Sequence, residues 1–167
     1  MIRAFDWRDL TLVHRLAPEG LCLHAETWYT RGVNNWLSVL RASVAPGGNT
    51  TTLVLRGADE QAMFGQVAHT AGQPWAQVHY LAPQPTADNL DPWIELLQAM
   101  VRTAGEDGAQ YLVAEVDDNH PVVGALRAAG FATYTHQSIW RCLPSYDQAA
   151  GVPFSALRRK TDEDTLA

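Results

Sequence analysis

The sequence predicts a mixed α/β domain in which an antiparallel meander precedes one parallel strand–helix–strand unit. Three strand-like runs, about Thr51–Arg56, Ala62–His69 and Trp75–Leu81, are separated by short polar turns, which favours antiparallel pairing. A strong helix start at Asp91-Pro92 then precedes the apolar run Tyr111–Val116. A helix between two strands is typical of a right-handed crossover that leaves the strands parallel.

Composition indicates one globular domain. The chain has 167 residues, of which 47% are hydrophobic and 18% charged, so it can bury a substantial core. That composition excludes a disordered tail and a coiled coil. No apolar run approaches the ~20 residues that span a bilayer, so we expect no membrane segment. The net charge is −6 and no basic stripe is present, so we expect no nucleic-acid partner.

The two cysteines favour a reducing compartment. Cys22 and Cys142 lie far apart in the sequence, and neither belongs to a Cys-x-x-Cys pair. We therefore expect two thiols in a cytoplasmic protein, with a disulfide or a catalytic thiol as the alternative. The first residues carry no apolar stretch and do not resemble a signal peptide.

Two helices are predicted in the first third of the chain. Met1–Phe5 is expected to be a short strand, and Asp6 to cap the helix that follows it. A second helix is expected over about residues 32–44, where apolar residues recur on one face. The apolar residues that fall three apart in the first helix, and should face the core, are Trp7, Leu10, Val13 and Leu16.

Two more helices are predicted in the second half. Asp91 is expected to cap a helix that ends at Gly105, and a shorter helix should run from about Pro121 to Ala129. The residues expected on the core face of the longer helix are Trp93, Leu97, Met100, Val101 and Ala104.

The predicted domain closes with one or two strands. Gly130 stands where a left-handed residue ends a helix, and Phe131 is expected to fold back on Leu126. Strands are then expected at Phe131–Tyr134 and Gln137–Arg141. The complete predicted order is β-α-α-β-β-β-α-β-α-β(-β).

This element order, together with the segment from Tyr111 to Phe131, resembles the GNAT superfamily of acetyl-CoA-dependent N-acetyltransferases. The family's late segment contains a strand, an asparagine, a short helix and a Gly-Phe pair that enters a strand. Asn119, Gly130 and Phe131 stand at the matching places. The resemblance implies a GNAT-like acyl-CoA N-acyltransferase fold over residues 1–145.

The resemblance also implies where acetyl-CoA would bind. Family members splay the fourth and fifth strands apart, and the pantetheine arm pairs with the backbone of the fourth strand. The pyrophosphate lies on a loop of pattern Arg/Gln-x-x-Gly-x-Gly/Ala at the start of the next helix, where N–H groups bind anions. The positions that the resemblance assigns to the cofactor are Val78, Tyr80, Leu81, Gln84, Ala87, Asn89 and Asn119.

The loop of this chain departs from the family pattern. Gln84 fits the first position, but Ala87 and Asn89 replace both glycines. Pro85 removes one backbone donor, and no Lys or Arg occurs between Gly57 and Val101. Two interpretations stay open: a cofactor-binding loop, or an ordinary polar connection.

Catalysis requires groups that move protons. Many family members carry a tyrosine four residues before the Gly-Phe pair, where this chain has Leu126. On the cofactor-side strand, Tyr80 is a candidate acid and His79 a candidate base, with ordinary half-buried sheet residues as the alternative. Glu115 interrupts an apolar strand, which predicts either pairing with an arginine or a general base for an amine.

The polar run Asp117-Asp118-Asn119-His120 raises the question of a metal site. Adjacent residues at a strand end do not converge easily on one ion. Because Pro121 follows, we expect Asn119 or His120 to cap a helix, and we expect no metal.

The last residues have two interpretations. Residues 146–167 contain the linker-like Gly151-Val152-Pro153, and Leu157-Arg158 resembles Ile2-Arg3 at the family's opening strand. The tail is therefore either the start of a second GNAT-like repeat or a charged terminus. An exposed edge strand near Gln137–Arg141 also makes a homodimer plausible.

Two functions from different classes follow from these observations. In the first, the chain transfers an acetyl group from acetyl-CoA to a primary amine of a small molecule or peptide. In the second, it is a catalytically silent GNAT-like module that binds a partner or acts as a scaffold. The altered loop and Leu126 favour the second function.

Overall fold

The computed structural model describes residues 1–25, 27, 39, 41–43, 49–57 and 62–138. Single 3-10 turns lie at Trp7–Asp9 and Ala17–Glu19. The strands are β1 (Ile2–Ala4), β2 (Leu21–Cys22), β3 (Thr50–Arg56), β4 (Ala62–His69), β5 (Trp75–Ala82) and β6 (Tyr111–Val113). The helices that the structure describes along their whole length are α1 (Leu10–Leu16), α2 (Asp91–Glu106) and α3 (Val122–Ala128).

The strands form one mixed sheet, which confirms the predicted fold class. The order is β1-β3-β4-β5-β2, and β6 also pairs with β5. The β3–β4–β5 meander is antiparallel, whereas β6 runs parallel to β5 after the α2 crossover. Strand β2 was not predicted. It pairs antiparallel with the last part of β5.

The two faces of the sheet carry separate cores because successive strand residues point to opposite sides. Leu53 and Leu55 of β3 face the core that contains α2 and α3, whereas Val54 faces the core that contains α1. Val39 completes the second core and is buried. The sheet is therefore the middle layer between two sets of helices.

The first helix forms where it was predicted, but two of the residues that were predicted to face the core are exposed. Asp6 caps the first turn as predicted. Val13 is buried, but the Trp7 and Leu10 side chains are 75% and 44% exposed. The reason is Asp9, which is fully buried and turns its carboxylate toward the sheet, so Trp7, two residues earlier, faces solvent.

Helix α2 begins at the predicted place, with Asp91 as its first helical residue instead of its cap. Four of the five predicted core residues are buried, but Val101 is 42% exposed. Leu96 is fully buried in its place. Since each helical residue turns ~100°, a stripe centred on Met100 includes Leu96 and leaves Val101 at its margin.

The end of α3 confirms the predicted cap. Gly130 has a φ of +103°, and its N–H donates to the Arg127 carbonyl at 3.1 Å. The N–H of Phe131 donates to the Leu126 carbonyl at 3.0 Å, and both side chains belong to the α2–α3 core. These two bonds satisfy carbonyls that the helix end leaves without partners.

The predicted strands around this cap are wrong in extent. Strand β6 ends at Val113 instead of Val116, and among the described residues it pairs with β5 alone. The predicted strand Phe131–Tyr134 is absent, since residues 131–138 form no strand and Phe131 completes the helix cap. Residues 139–141 of the predicted strand Gln137–Arg141 lie outside the described residues.

The chain divides into two units. Met1–Ala132 forms one compact unit, and residues 133–138 are the described part of Thr133–Ala167. The predicted boundary at residue 145 and the tail 146–167 lie outside the described residues. Of the predicted helix 32–44, residues 39 and 41–43 are helical and the others are outside the description. No helix among the described residues is long and apolar enough to cross a membrane.

Candidate functional site

Strand β5 carries a β-bulge just beyond the part that pairs with β6. Gln66 of β4 pairs with Tyr80, but its neighbour Val67 pairs with Val78, so His79 is an extra residue in β5. A bulge bends its strand and increases the local twist. β6 pairs with β5 only along Trp75–Gln77 and parts from it before the bulge. The part of β5 from the bulge onward is therefore not paired with β6.

The space beside the diverging part of β5 contains a segment of the same chain. Leu21 pairs with Leu81 and Cys22 with Tyr80 in the antiparallel sense. The N–H of Leu23 then donates to the His79 carbonyl at 3.0 Å. We call residues 21–25 the plug. The plug uses the backbone edge of β5 from the bulge onward.

Two further residues, Gln77 and Glu115, form hydrogen bonds to the plug. The Leu23 carbonyl accepts one bond from the Gln77 Nε2 at 2.9 Å and another from the Glu115 backbone N–H at 3.1 Å. The Glu115 carboxylate accepts from the N–H of Ala25 at 2.6 Å. Leu23 itself is fully buried. Gln77 and Glu115 thus connect the plug to β5 and to the chain after β6.

Glu115 therefore has a structural partner. Among the described residues, its carboxylate bonds to the Ala25 backbone and not to an arginine. The sequence predicted an arginine as one possible partner of the Glu115 carboxylate, because no local pattern places the plug beside this strand.

The second catalytic candidate, His79, contacts the plug directly. Its ring stacks on that of His24, with centroids 4.8 Å apart and planes 12° apart. Nδ1 of His24 lies 2.6 Å from the Thr27 hydroxyl. Burial raises the pKa of the neighbouring Cys22 thiol, and the Glu115 charge adds to this effect. Imidazoles, a thiol and a carboxylate are thus gathered around the plug.

Tyr80, the third candidate, points to the α1 face of the sheet. It is buried beside Phe64, with ring centroids 6.2 Å apart. Its hydroxyl donates to the Ala17 carbonyl. Burial, followed by the nearby Cys22, raises the pKa of Tyr80 to about 12. The hydroxyl that was predicted as an acid is thus used to hold the chain before the plug.

The loop after β5 is tied to its surroundings at Gln84. The Gln84 backbone N–H donates to the Glu19 carbonyl at 2.7 Å. Its side-chain nitrogen lies 2.7 Å from Nε2 of His120. Ala87 and Asn89, which stand where the family has glycines, are exposed.

The polar run before α3 forms a capping turn. The N–H of Asn119 donates to the Asp117 carboxylate at 3.0 Å, and Asn119 is exposed. The N-cap residue of α3 is Pro121 instead of the predicted Asn119 or His120, but Nδ1 of His120 accepts from the Val122 N–H at 3.1 Å. Burial lowers the pKa of His120, against the opposing effect of the Asp117 charge. In the described part of the chain, no cluster of three or more His, Cys, Asp or Glu residues could hold a metal ion.

Gln77 is a site residue that sequence reasoning missed. It is buried in an otherwise apolar stretch of β5. A buried carboxamide must find hydrogen-bond partners, so its position in this strand was the available signal. Its partner, Leu23, is 54 residues away in the sequence and carries no matching signal.

Comparison with known proteins gives one structural likeness. The chain is similar to the crystal structure of the aminoglycoside 6'-N-acetyltransferase from Enterococcus faecium, with a TM-score of 0.46 and 16% sequence identity. The similarity covers 65% of this chain and 57% of that chain. No protein-family model and no curated protein matches the sequence.

Proposed function

We propose that this chain is a catalytically silent GNAT-like domain that acts as a binding or scaffold module. The observation that carries the proposal is the pairing of Leu21–Leu23 with the backbone of β5 at His79–Leu81. By the resemblance, this is the backbone that would pair with the pantetheine arm of acetyl-CoA. A backbone group that is already paired within the chain is not available to a ligand. In this conformation, the residues present do not fit the cofactor.

The loop after β5 supports the same proposal. A pyrophosphate needs backbone N–H groups that point toward it, and the N–H of Gln84 is bonded to Glu19. Asp88 and Asp91 add negative charge beside the start of α2. Coulomb repulsion with a phosphate costs ~1 kcal/mol per charge pair at 4 Å in water. No Lys or Arg between Gly57 and Val101 offsets this cost.

The N-acetyltransferase function stays as the second proposal, favoured by one observation. Glu115 lies where β6 parts from β5, at the place where a base for an amine would be useful. In this proposal Glu115 and His79 are the candidate bases and Tyr80 the candidate acid. The cofactor positions are those that the resemblance assigns, and the acceptor is a primary amine of a small molecule or peptide.

Calorimetric titration of the full chain with acetyl-CoA separates the two proposals. The silent module predicts no heat of binding up to millimolar ligand. Binding at micromolar strength would overturn it in favour of the acetyltransferase. In that case Glu115→Gln should lower turnover with little change in affinity, because an amide does not accept the proton.

A further inference from the structure

We infer that the plug is an internal, displaceable strand that closes a ligand-binding edge of β5, and that Gln77 and Glu115 are the positioning residues that keep it closed. This inference rests on the proposed function and deepens it, since it gives a structural reason why the domain would be catalytically silent. The ligand class is an extended chain with amide groups, such as the pantetheine arm of acetyl-CoA.

The plug has the hydrogen-bonding form of such a ligand. It lies extended along β5, and its Leu23 N–H reaches the His79 carbonyl at the bulge. A strand that is added to a sheet edge binds through its main chain, so its side chains do not set the pairing. An amide-bearing tether could therefore replace the plug on the same edge without any change in β5.

The plug is short compared with the strands around it. β2 contains two residues, whereas its partner β5 contains eight. Strands in globular proteins are usually 3–10 residues long. Leu21 and Cys22 are partly exposed, and Leu23 is the buried anchor. Short elements with few buried contacts open locally at a lower free energy than the rest of a domain.

Two side-chain contacts compensate for the shortness of β2. Gln77 donates to the Leu23 carbonyl, and the Glu115 carboxylate accepts from the Ala25 N–H. These contacts join the plug to residues 54 and 90 positions away in the sequence. Loss of a hydrogen bond of ordinary strength shifts an opening equilibrium about fivefold. Removal of both contacts is therefore expected to raise the open population at least ~25-fold, because the bond to the charged Glu115 carboxylate is stronger than an ordinary one.

Departure of the plug changes which polar groups are accessible along the edge of β5. Departure of the plug separates His24 from the ring of His79 and returns the Glu115 carboxylate to solvent or ligand. It also leaves the His79 carbonyl without its Leu23 partner. The groups that would pair with a ligand in place of the plug are thus the backbone groups of β5, which a change of the Gln77 or Glu115 side chain leaves in place.

The test compares the full-length wild type with the double variant Gln77→Leu/Glu115→Ala. Glu115→Gln is the matched control, because its amide oxygen can still accept from Ala25. The first measurement is amide hydrogen exchange at Leu23 and Ala25, with β3 and β4 as the internal reference. The second is calorimetric titration with acetyl-CoA.

We expect at least ~25-fold faster exchange of the plug amides in the double variant, no change in β3 and β4, and a much smaller increase in the Glu115→Gln control, whose neutral amide oxygen still accepts from Ala25. Because apparent affinity scales with the open fraction, we also expect acetyl-CoA affinity to rise at least tenfold. If the double variant loses its native amide spectrum, Gln77→Leu alone should give about fivefold faster exchange.

Two results would overturn the inference. In one, the plug amides exchange as slowly as β3 and β4 in every folded variant, which would make the plug a permanent part of the sheet. In the other, the plug opens but acetyl-CoA still does not bind at millimolar concentration. Micromolar binding by the wild type is a different outcome, since it rejects the silent module itself.

Discussion

The N–H of Leu23 donates to the carbonyl of His79 at 3.0 Å, at the residue where β5 carries its bulge. Together with the bond from the Glu115 N–H to the Leu23 carbonyl, it holds Leu23 between β5 and the residues that follow β6. β6 pairs with β5 only along Trp75–Gln77, before the bulge, and the plug pairs with β5 from His79 onward. β6 and the plug therefore occupy successive parts of the same edge of β5 and meet near the bulge.

Gly20 precedes the plug, and its replacement tests how tightly the plug is packed. A Cβ at this position would lie 2.2 Å from Cε1 of Tyr80, whose hydroxyl is held by Ala17. We expect Gly20→Ala to lower the free energy of unfolding by about 1–3 kcal/mol. Urea denaturation followed by circular dichroism measures the change.

Gly105 provides the matched control for that substitution. It lies in α2, and a Cβ there meets nothing within 4 Å. Gly105→Ala should stabilise the domain by about 0.5–1 kcal/mol through helix propensity. Equal effects of the two substitutions would contradict the close approach of Gly20 to Tyr80.

Asp9 is expected to make stability depend on acid pH. Burial alone would raise its pKa, but hydrogen bonds from Arg3, the Asp6 backbone and Arg56 lower the pKa below its ordinary value. The native state therefore gains stability above about pH 4, the unfolded value, and loses it as pH falls further.

Asp9→Asn removes this dependence. At pH 7 we expect the variant to lose about 2 kcal/mol, since hydrogen bonds to charged groups are stronger than neutral ones. The difference from wild type should shrink as pH falls from 4 to 2 in urea denaturation. A difference that stays constant over this range would show that the charge of Asp9 is not what stabilises β1 against β3.

Tyr80 is expected to make stability depend on alkaline pH. Its folded pKa of about 12 lies above the value of ~10 for an unfolded tyrosine. The stability that the neutral Tyr80 hydroxyl gives to the folded state is thus present below pH 10 and is lost as pH rises through 10 toward 12. Tyr80→Phe should cost about 1 kcal/mol at pH 8 through loss of the Ala17 bond, and its difference from wild type should narrow above pH 10. Urea denaturation between pH 8 and 11 checks this, and a widening difference would reject it.

Adjacent residues of α2 should respond very differently to truncation. Met100 is fully buried against the sheet, whereas Val101 is 42% exposed. We expect Met100→Ala to cost about 2–5 kcal/mol and Val101→Ala to stay within about 0.5 kcal/mol of wild type. Thermal unfolding of both variants measures this. Similar losses of stability would mean that α2 is rotated about its axis so that Val101 also faces the core.

Local sequence patterns predicted the parts of the fold that depend on near neighbours. The meander, the start of α2 near Asp91 and the cap at Gly130 each follow from turn chemistry or periodicity within a few residues. The same patterns were wrong for Trp7 and Val101. Both are apolar residues at helical spacing, but distant contacts set the rotation of their helices.

The candidate site was predicted only in part. His79, Tyr80 and Glu115 were singled out from residue type and strand position, and the structure places two of them, His79 and Glu115, against the plug. Gln77 was missed, although its polarity within β5 was visible. The plug was missed because Leu21-Cys22-Leu23 is too short a run to indicate a strand by itself.

By itself, the sequence determined which segments become strands and helices over most of the described chain and that they form a mixed sheet. It did so because those choices depend on hydrophobic spacing and on residues with restricted backbone angles. Only the tertiary structure decided what lies beside the diverging end of β5. Leu23 and Ala25 meet Gln77 and Glu115 across 54 and 90 residues, and such a contact exists only once the rest of the sheet has formed.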